Sequence, residues 1–157
     1  MKQPQIILVF GRICSGKGSF MNGHRIVVSD IVRSLVRSNA RDQLQNTMDM
    51  DVAIADGILN ELQTALASIE SGKLKREPII VDGIRQSSIV QKIVEQYPDC
   101  DLVWLEVPIA KRRSRYESRK HEKDVEPFDV ADNKPIELEC QRIYDNYKYQ
   151  LQVIYNG

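Results

Sequence analysis

Cysteine is scarce in this chain, and its number is odd: Cys14, Cys100 and Cys140, widely spaced. Three cysteines close no disulfide framework. Their spacing with the two histidines, His24 and His121, spells no zinc or redox pair, so a reducing compartment fits best. An excess of charge is also missing: 22 Lys+Arg stand against 22 Asp+Glu. Strong attraction to a polyanion must therefore come from local patches and not from the total. Long apolar runs are absent as well. The opening run over 5–10, QIILVF, is too short for a signal-peptide core or a membrane span. The expectation is a soluble, cytoplasmic protein with no membrane partner. The sequence contains no internal repeat and no low-complexity tract.

What is present suits one domain spanning 1–157. Hydrophobic residues make up 42% and charged residues 28%, close to the globular average, which argues against global disorder. Short apolar runs over 5–10, 25–28, 78–81 and 101–107 read as strands, the first buried on both faces. Amphipathic stretches lie between them, at about 30–38, 51–71, 87–96, 109–120 and 135–152. Gly72 is placed to stop the second of these helices. Alternating strands and helices imply βαβ units, an α/β fold and a mostly parallel sheet. Ligands of such sheets sit at the carboxyl ends of strands.

The first such end carries Gly11, Arg12, Ile13, Cys14, Ser15, Gly16, Lys17, Gly18 and Ser19. This is G-x-x-x-x-G-K, directly after a buried strand. Glycines let successive amides turn inward toward phosphate oxygens, and a helix beginning there adds the positive end of its dipole. Asn22, Gly23 and His24 break that helix after about two turns. Lys17 places a point charge on the outer phosphates of a nucleoside triphosphate. Ser19, or in second place Ser15, offers a hydroxyl to Mg²⁺. ATP and Mg²⁺ are the cofactors this pattern calls for. Cys14 at the loop invites oxidation rather than catalysis.

The G-K-G-S ending resembles the nucleoside-monophosphate-kinase branch of P-loop kinases. Val28-Ser-Asp30-Ile-Val-Arg33 resembles that family's acceptor segment. Asp82-Gly83-Ile84-Arg85 resembles its Asp-Gly-Phe-Pro-Arg, without the proline. Pro108 followed by Arg115 and Arg119 resembles the opening of its lid. The resemblance implies a P-loop NTPase three-layer sandwich with a small basic lid at about 111–134. It implies that Asp82 holds Mg²⁺, that Asp30, Arg33 and Arg85 face the acceptor, and that Lys17, Arg115 and Arg119 offset charge on the moving phosphoryl group. Arg142 is a looser match to a later arginine. Asp30 is the carboxylate placed to take a proton if the acceptor is a hydroxyl.

Three features depart from that family. Only eleven residues separate Lys17 from Ser29, so the first helix is stunted. The lid lacks four cysteines and is instead basic, with Lys111, Arg112, Arg113, Arg115, Arg119, Lys120 and Lys123, followed by the acidic Asp124, Glu126, Asp129 and Asp132. Arg33, Arg37 and Arg41 recur every four residues, a stripe suited to more than one acceptor phosphate. The plainer reading pairs these arginines with neighbouring carboxylates, which zero net charge favours. With Phe10 to Ser19, Val28 to Arg33 and Arg41 to Thr47, the pattern is similar to small phage P-loop kinases that phosphorylate 5-hydroxymethyluridine within DNA. That implies a DNA partner bearing a modified pyrimidine, Arg37 beside the acceptor, and the host cytoplasm as location. A free mononucleotide acceptor, or a regulatory ATPase switch, are the alternatives. Trp104, Tyr144, Tyr147 and Tyr149 read as packing residues, whereas Phe128 is a candidate for stacking on a base.

Overall fold

The computed structural model describes residues 3–37, 47–119 and 126–156. Five strands, β1 (Ile6–Phe10), β2 (His24–Val27), β3 (Ile79–Asp82), β4 (Asp101–Glu106) and β5 (Leu151–Tyr155), form one sheet in the order β2-β3-β1-β4-β5. Every pairing is parallel. The helices are α1 (Val28–Arg37), α2 (Thr47–Glu70), α3 (Ser87–Gln96), α4 (Ile109–Arg119), α5 (Phe128–Asp132) and α6 (Pro135–Tyr147). This is the α/β architecture expected from the alternation of strands and helices.

β1 lies in the middle, with Leu8 opposite Val81 on one side and Leu102 on the other, and all five of its residues are buried. Ile6, Leu8 and Phe10 face the main core with Val81 and Trp104, under Ile58 and Leu62 of α2, Ile93 of α3 and Ile143 of α6. α2 supplies this face because Ile54, Ala55, Ile58, Leu62 and Ile69 recur at helical spacing. Gly72 ends it with φ 82°, and Lys73 N donates to Ser68 O at 2.8 Å. Ile7 and Val9 face the opposite way, into a smaller cluster with Ile80, Val103 and Leu105. Trp104 packs edge-on against Tyr144, centroids 5.2 Å apart. Tyr149, in contrast, is 92% exposed and takes no part in packing the core.

Two expectations are corrected. The helix after the phosphate loop is a single 3₁₀ turn, Lys17–Ser19, and not two α-turns. His24 N already donates to Pro78 O at 2.8 Å, and a Cβ on Gly23 would stand 2.4 Å from that same oxygen. The chain is therefore drawn into the sheet at residue 24, and no further helical turn fits. Phe20 instead packs on the smaller cluster. The last helix ends at Tyr147 and not near residue 152. Leu151–Tyr155 is a fifth strand, paired with β4 from Leu102↔Leu151 to Glu106↔Tyr155.

Ile58 is fully enclosed, whereas Val52 on the same helix is 38% exposed. Ile58→Ala should cost about 2–5 kcal/mol by leaving a cavity. Val52→Ala should stay within about 0.5 kcal/mol. Urea unfolding of the two variants measures both.

Candidate active site: the loop after β1 and the cavity beside it

The chain leaves β1 through Gly11 and folds back on itself by two left-handed residues, Cys14 (φ 62°) and Gly16 (φ 89°). Left-handed residues two apart are a backbone feature of anion nests; here Ile13 N donates to Glu137 Oε1 and Ser15 N to Arg12 O. Gly16 is required twice over. Its φ suits glycine, and a Cβ there would lie 2.5 Å from Asn156 Nδ2. Gly11 is required by proximity, since a Cβ would meet Ser15 Oγ at 2.3 Å and Leu105 O at 3.1 Å. Gly18 has open space around it.

Lys17 curls back over the loop, its ammonium donating to Gly11 O at 2.9 Å and Arg12 O at 3.2 Å. Burial holds its pKa below the usual lysine range, and neighbouring Arg85 lowers it further. An arriving polyphosphate opposes both effects, so it favours the charged form of this lysine.

With no helix to brace it, the loop is held by residues from the far end of the chain. Glu137, in the first turn of α6, is 3% exposed. It accepts from Ile13 N at 2.6 Å and pairs with Arg85. Asp132, at the end of α5, is 4% exposed and takes Arg112 at 2.6 Å and Arg12 at 3.1 Å. Arg12 also donates to the Asp132 carbonyl. Asn156, just past β5, donates from Nδ2 to Ser15 O at 2.9 Å. Arg115 ties Cys14 O at 3.1 Å to Asn156 O at 2.9 Å. Cys140 donates its thiol to Gly11 O at 3.4 Å, and burial raises its pKa.

A cavity of about 890 Å³ opens beside the loop. Ile13, Cys14, Ser15, Gly16, Lys17 and Gly18 form one wall, and Asp82 at the end of β3 stands with them. Arg33, Arg85 and Arg119 reach the same space. The remaining wall is largely apolar, from Val28, Val32, Met50, Ile54, Ile89 and Ile136, with Asp51 of α2 among them.

The structure thus brings Lys17, Asp82, Arg33, Arg85 and Arg119 to one cavity and leaves other expected residues outside its lining. Asp30 is turned outward, its side chain 66% exposed and paired with Arg33. Arg115 grips loop backbone instead of facing the cavity. Arg12 turns away to Asp132 and Gln141. Ser19 is exposed, its hydroxyl on Gly16 O at 3.4 Å, while the buried Ser15 lines the cavity. Ser15 and Asp82 both line the cavity, and a hydroxyl and a carboxylate are donors of the kind that suits a magnesium ion held chiefly by substrate phosphates. Among the described residues no cluster of three or more His, Cys, Asp or Glu forms a protein-only metal cage.

Phe128 is no base-stacking platform. It is 3% exposed, edge-on to Tyr116 at 5.7 Å, with Arg112 and Arg113 over its ring at 5.5 and 5.4 Å. Arg142 lies on the surface, paired with Glu139. The basic helix spends much of its charge internally, with Arg112 on Asp132 and Arg113 on Asp129 at 2.7 Å. The side chain of Arg37, and Arg41, Lys120 and Lys123 entirely, lie outside the described residues.

Glu137, Asn156 and Asp51 are contributors that sequence reasoning missed, and Asp132, read there as one counter-charge among the acidic residues after the basic helix, holds the loop as well. The two carboxylates sit about 120 residues from the loop they hold, so no local pattern announces them. Asn156 follows a strand that reads as helix. Asp51 has no motif around it.

Asp132→Asn strips the shared carboxylate from two arginines, one of them buried. A loss of about 3–5 kcal/mol in urea unfolding is expected, with weaker ATP binding by calorimetry. Gly16→Ala should displace the Asn156 amide and weaken ATP binding, whereas Gly18→Ala should change stability little.

No family model and no curated protein matches the sequence. Solved structures do match in fold. A gluconokinase from Sinorhizobium meliloti 1021 aligns over 100% of this chain and 85% of its own, at 17% identity and TM-score 0.54. The Pnkp1/Rnl/Hen1 RNA repair complex aligns over 96% of this chain and 48% of its own, at 15% identity and TM-score 0.59. At such identities the likeness is one of fold alone: a parallel α/β sheet flanked by helices.

Proposed function

We propose that this protein is an ATP-dependent phosphotransferase that moves a γ-phosphoryl group to a nucleotide unit, specifically to the 5-hydroxymethyl group of 5-hydroxymethyluridine in phage DNA. The carrying observation is the shared cavity: a left-handed glycine loop with Lys17 on one wall, Asp82 beside it, and three arginines converging from α1, α4 and the segment after β3. Fold likeness to a gluconokinase agrees with phosphoryl transfer.

Phosphoryl transfer needs positioning and charge stabilisation more than covalent chemistry. Amides of the loop and Lys17 take the outer phosphates. Ser15 and Asp82 would hold Mg²⁺, which would neutralise phosphate charge. Arg119 faces the transferring group, and an arginine so placed is worth ~10³-fold or more in rate. Arg115 keeps the loop in shape through Cys14 O and Asn156 O.

The acceptor side favours a neutral hydroxyl over a phosphate. Arg33 and Arg85 each already carry a carboxylate, Asp30 and Glu137 respectively. Asp51 adds a further negative group to that wall, and Val28, Val32, Met50, Ile54 and Ile89 give a pyrimidine ring an apolar surface. Within duplex DNA the base must be flipped out to reach the loop. Arg33 then serves the DNA backbone or the base edge, with Asp30 orienting it.

The test offers γ-labelled ATP and Mg²⁺ with mononucleotides, plain DNA, and DNA containing 5-hydroxymethyluridine. Label confined to the modified DNA is expected. Label in mononucleotides moves the assignment to a monophosphate kinase, and free phosphate alone moves it to an ATPase. Lys17→Ala should abolish transfer. Arg33→Ala should raise the acceptor KM and leave the ATP KM unchanged.

A further inference from the structure

We propose that Asp51, and not Asp30, is the catalytic base that takes the proton of the acceptor hydroxyl. This rests on the phosphotransferase reading above and assigns a role within its acceptor site.

Among the described residues, the carboxylates of Glu137, Asp30, Asp82 and Asp51 lie in the cavity lining or pair with arginines that line it, and their surroundings separate them. Glu137 is committed, with one oxygen on Ile13 N and the other on Arg85. Asp30 is paired with Arg33, is exposed, and does not line the cavity. Asp82 ends β3 on the donor side, near enough to Lys17 to favour that ammonium's charge. Among the described carboxylates Asp51 alone belongs to the acceptor wall, flanked on its own helix by Met50 and Ile54 and lining the same space as Ile89 of α3.

Its carboxylate is also oriented. Ser88 Oγ, at the start of α3, donates to Asp51 Oδ2 at 3.2 Å. Burial in this apolar wall lifts the Asp51 pKa above the ordinary aspartate range, and Glu139 of α6 adds to the rise. Ser88 pulls the other way. Across the cavity stand Arg33 on α1, Arg85 after β3, Arg119 on α4, Lys17 on the loop and Asp82 on β3. A carboxylate with a raised pKa is a stronger base than an exposed one.

The step balances without a further reagent. The acceptor oxygen bonds to the γ-phosphorus as its O–H bond breaks, and the proton passes to Asp51. The bond from the γ-phosphorus to the bridging oxygen breaks, and its electron pair leaves with ADP.

The experiment compares wild type with Asp51→Asn, Asp51→Glu and Asp30→Asn. The acceptor probe is a single-stranded oligonucleotide carrying one 5-hydroxymethyluridine. Thermal melting first shows that each variant is folded. Asp51→Asn should lower kcat at least about 100-fold. Its Kd for a non-hydrolysable ATP analogue and its Kd for the oligonucleotide, both by calorimetry, should remain at wild-type values. Asp51→Glu should recover part of the rate. In wild type, kcat should fall as pH drops and protonates the base, and Asp51→Asn should lack that acid limb. Asp30→Asn should keep the limb and raise the acceptor KM.

A loss below about tenfold, an acid limb that persists in Asp51→Asn, or a limb that vanishes in Asp30→Asn overturns the assignment. A wild-type enzyme that binds ATP and ignores the hydroxymethyl probe overturns the acceptor reading instead. Failure of the underlying reading looks different: no ATP uptake with Mg²⁺, or full transfer by Lys17→Ala.

Discussion

A loop that wraps phosphate must take its backbone out of every regular ladder, and its polar groups then need partners. In most helical surroundings the following helix supplies rigidity. Here that helix is one 3₁₀ turn, and the work falls to side chains from α4, α5, α6 and the end of β5. Glu137 takes an amide, Asn156 and Arg115 take carbonyls, and the Arg12–Asp132–Arg112 group anchors the outer bend. Buried ion pairs contribute little net stability, because desolvation offsets most of their attraction. Their value lies in geometry. Removing one partner leaves a charge stranded in a dry place, so the loop has few alternative shapes.

The same group explains how a chain of zero net charge arranges its basic residues. The helix at 109–119 looks like an open cationic surface when read alone. In the fold, its arginines are divided among a buried carboxylate, the loop backbone, an exposed aspartate and the cavity. The local field at the cavity comes from a few side chains whose counter-charges lie behind them.

Much of this was legible in the sequence, and the reason is locality. β1, the glycine loop, the strand ends at Asp82 and near Val28, and α3 over Ser87–Gln96 follow from residues adjacent in the chain. The spacing of Ile54, Ile58 and Leu62 announces α2. What stayed hidden was non-local. In β5, Leu151 and Ile154 sit three apart beside Tyr147, a spacing that serves helix and edge strand equally. Only pairing with β4 decides. The braces on the loop join residues more than a hundred positions apart, which no window of sequence displays. The outward turn of Asp30 depends on Arg33 lying one helical turn away, and the inward place of Asp51 depends on how α2 crosses α1, where Gly57 leaves room for Ile31.

The Asn156 clamp has a consequence for synthesis. A ribosome makes residues 11–19 early, but the amide that fastens Ser15 and the strand that delivers it come 141 positions later. The nascent loop is therefore an unbraced segment until that strand has been made. The brace forms only once β5 has emerged from the exit tunnel and paired with β4. Contacts of such long range also slow folding, so the newly made chain must live for a time with its core partly assembled and the bend after β1 still slack.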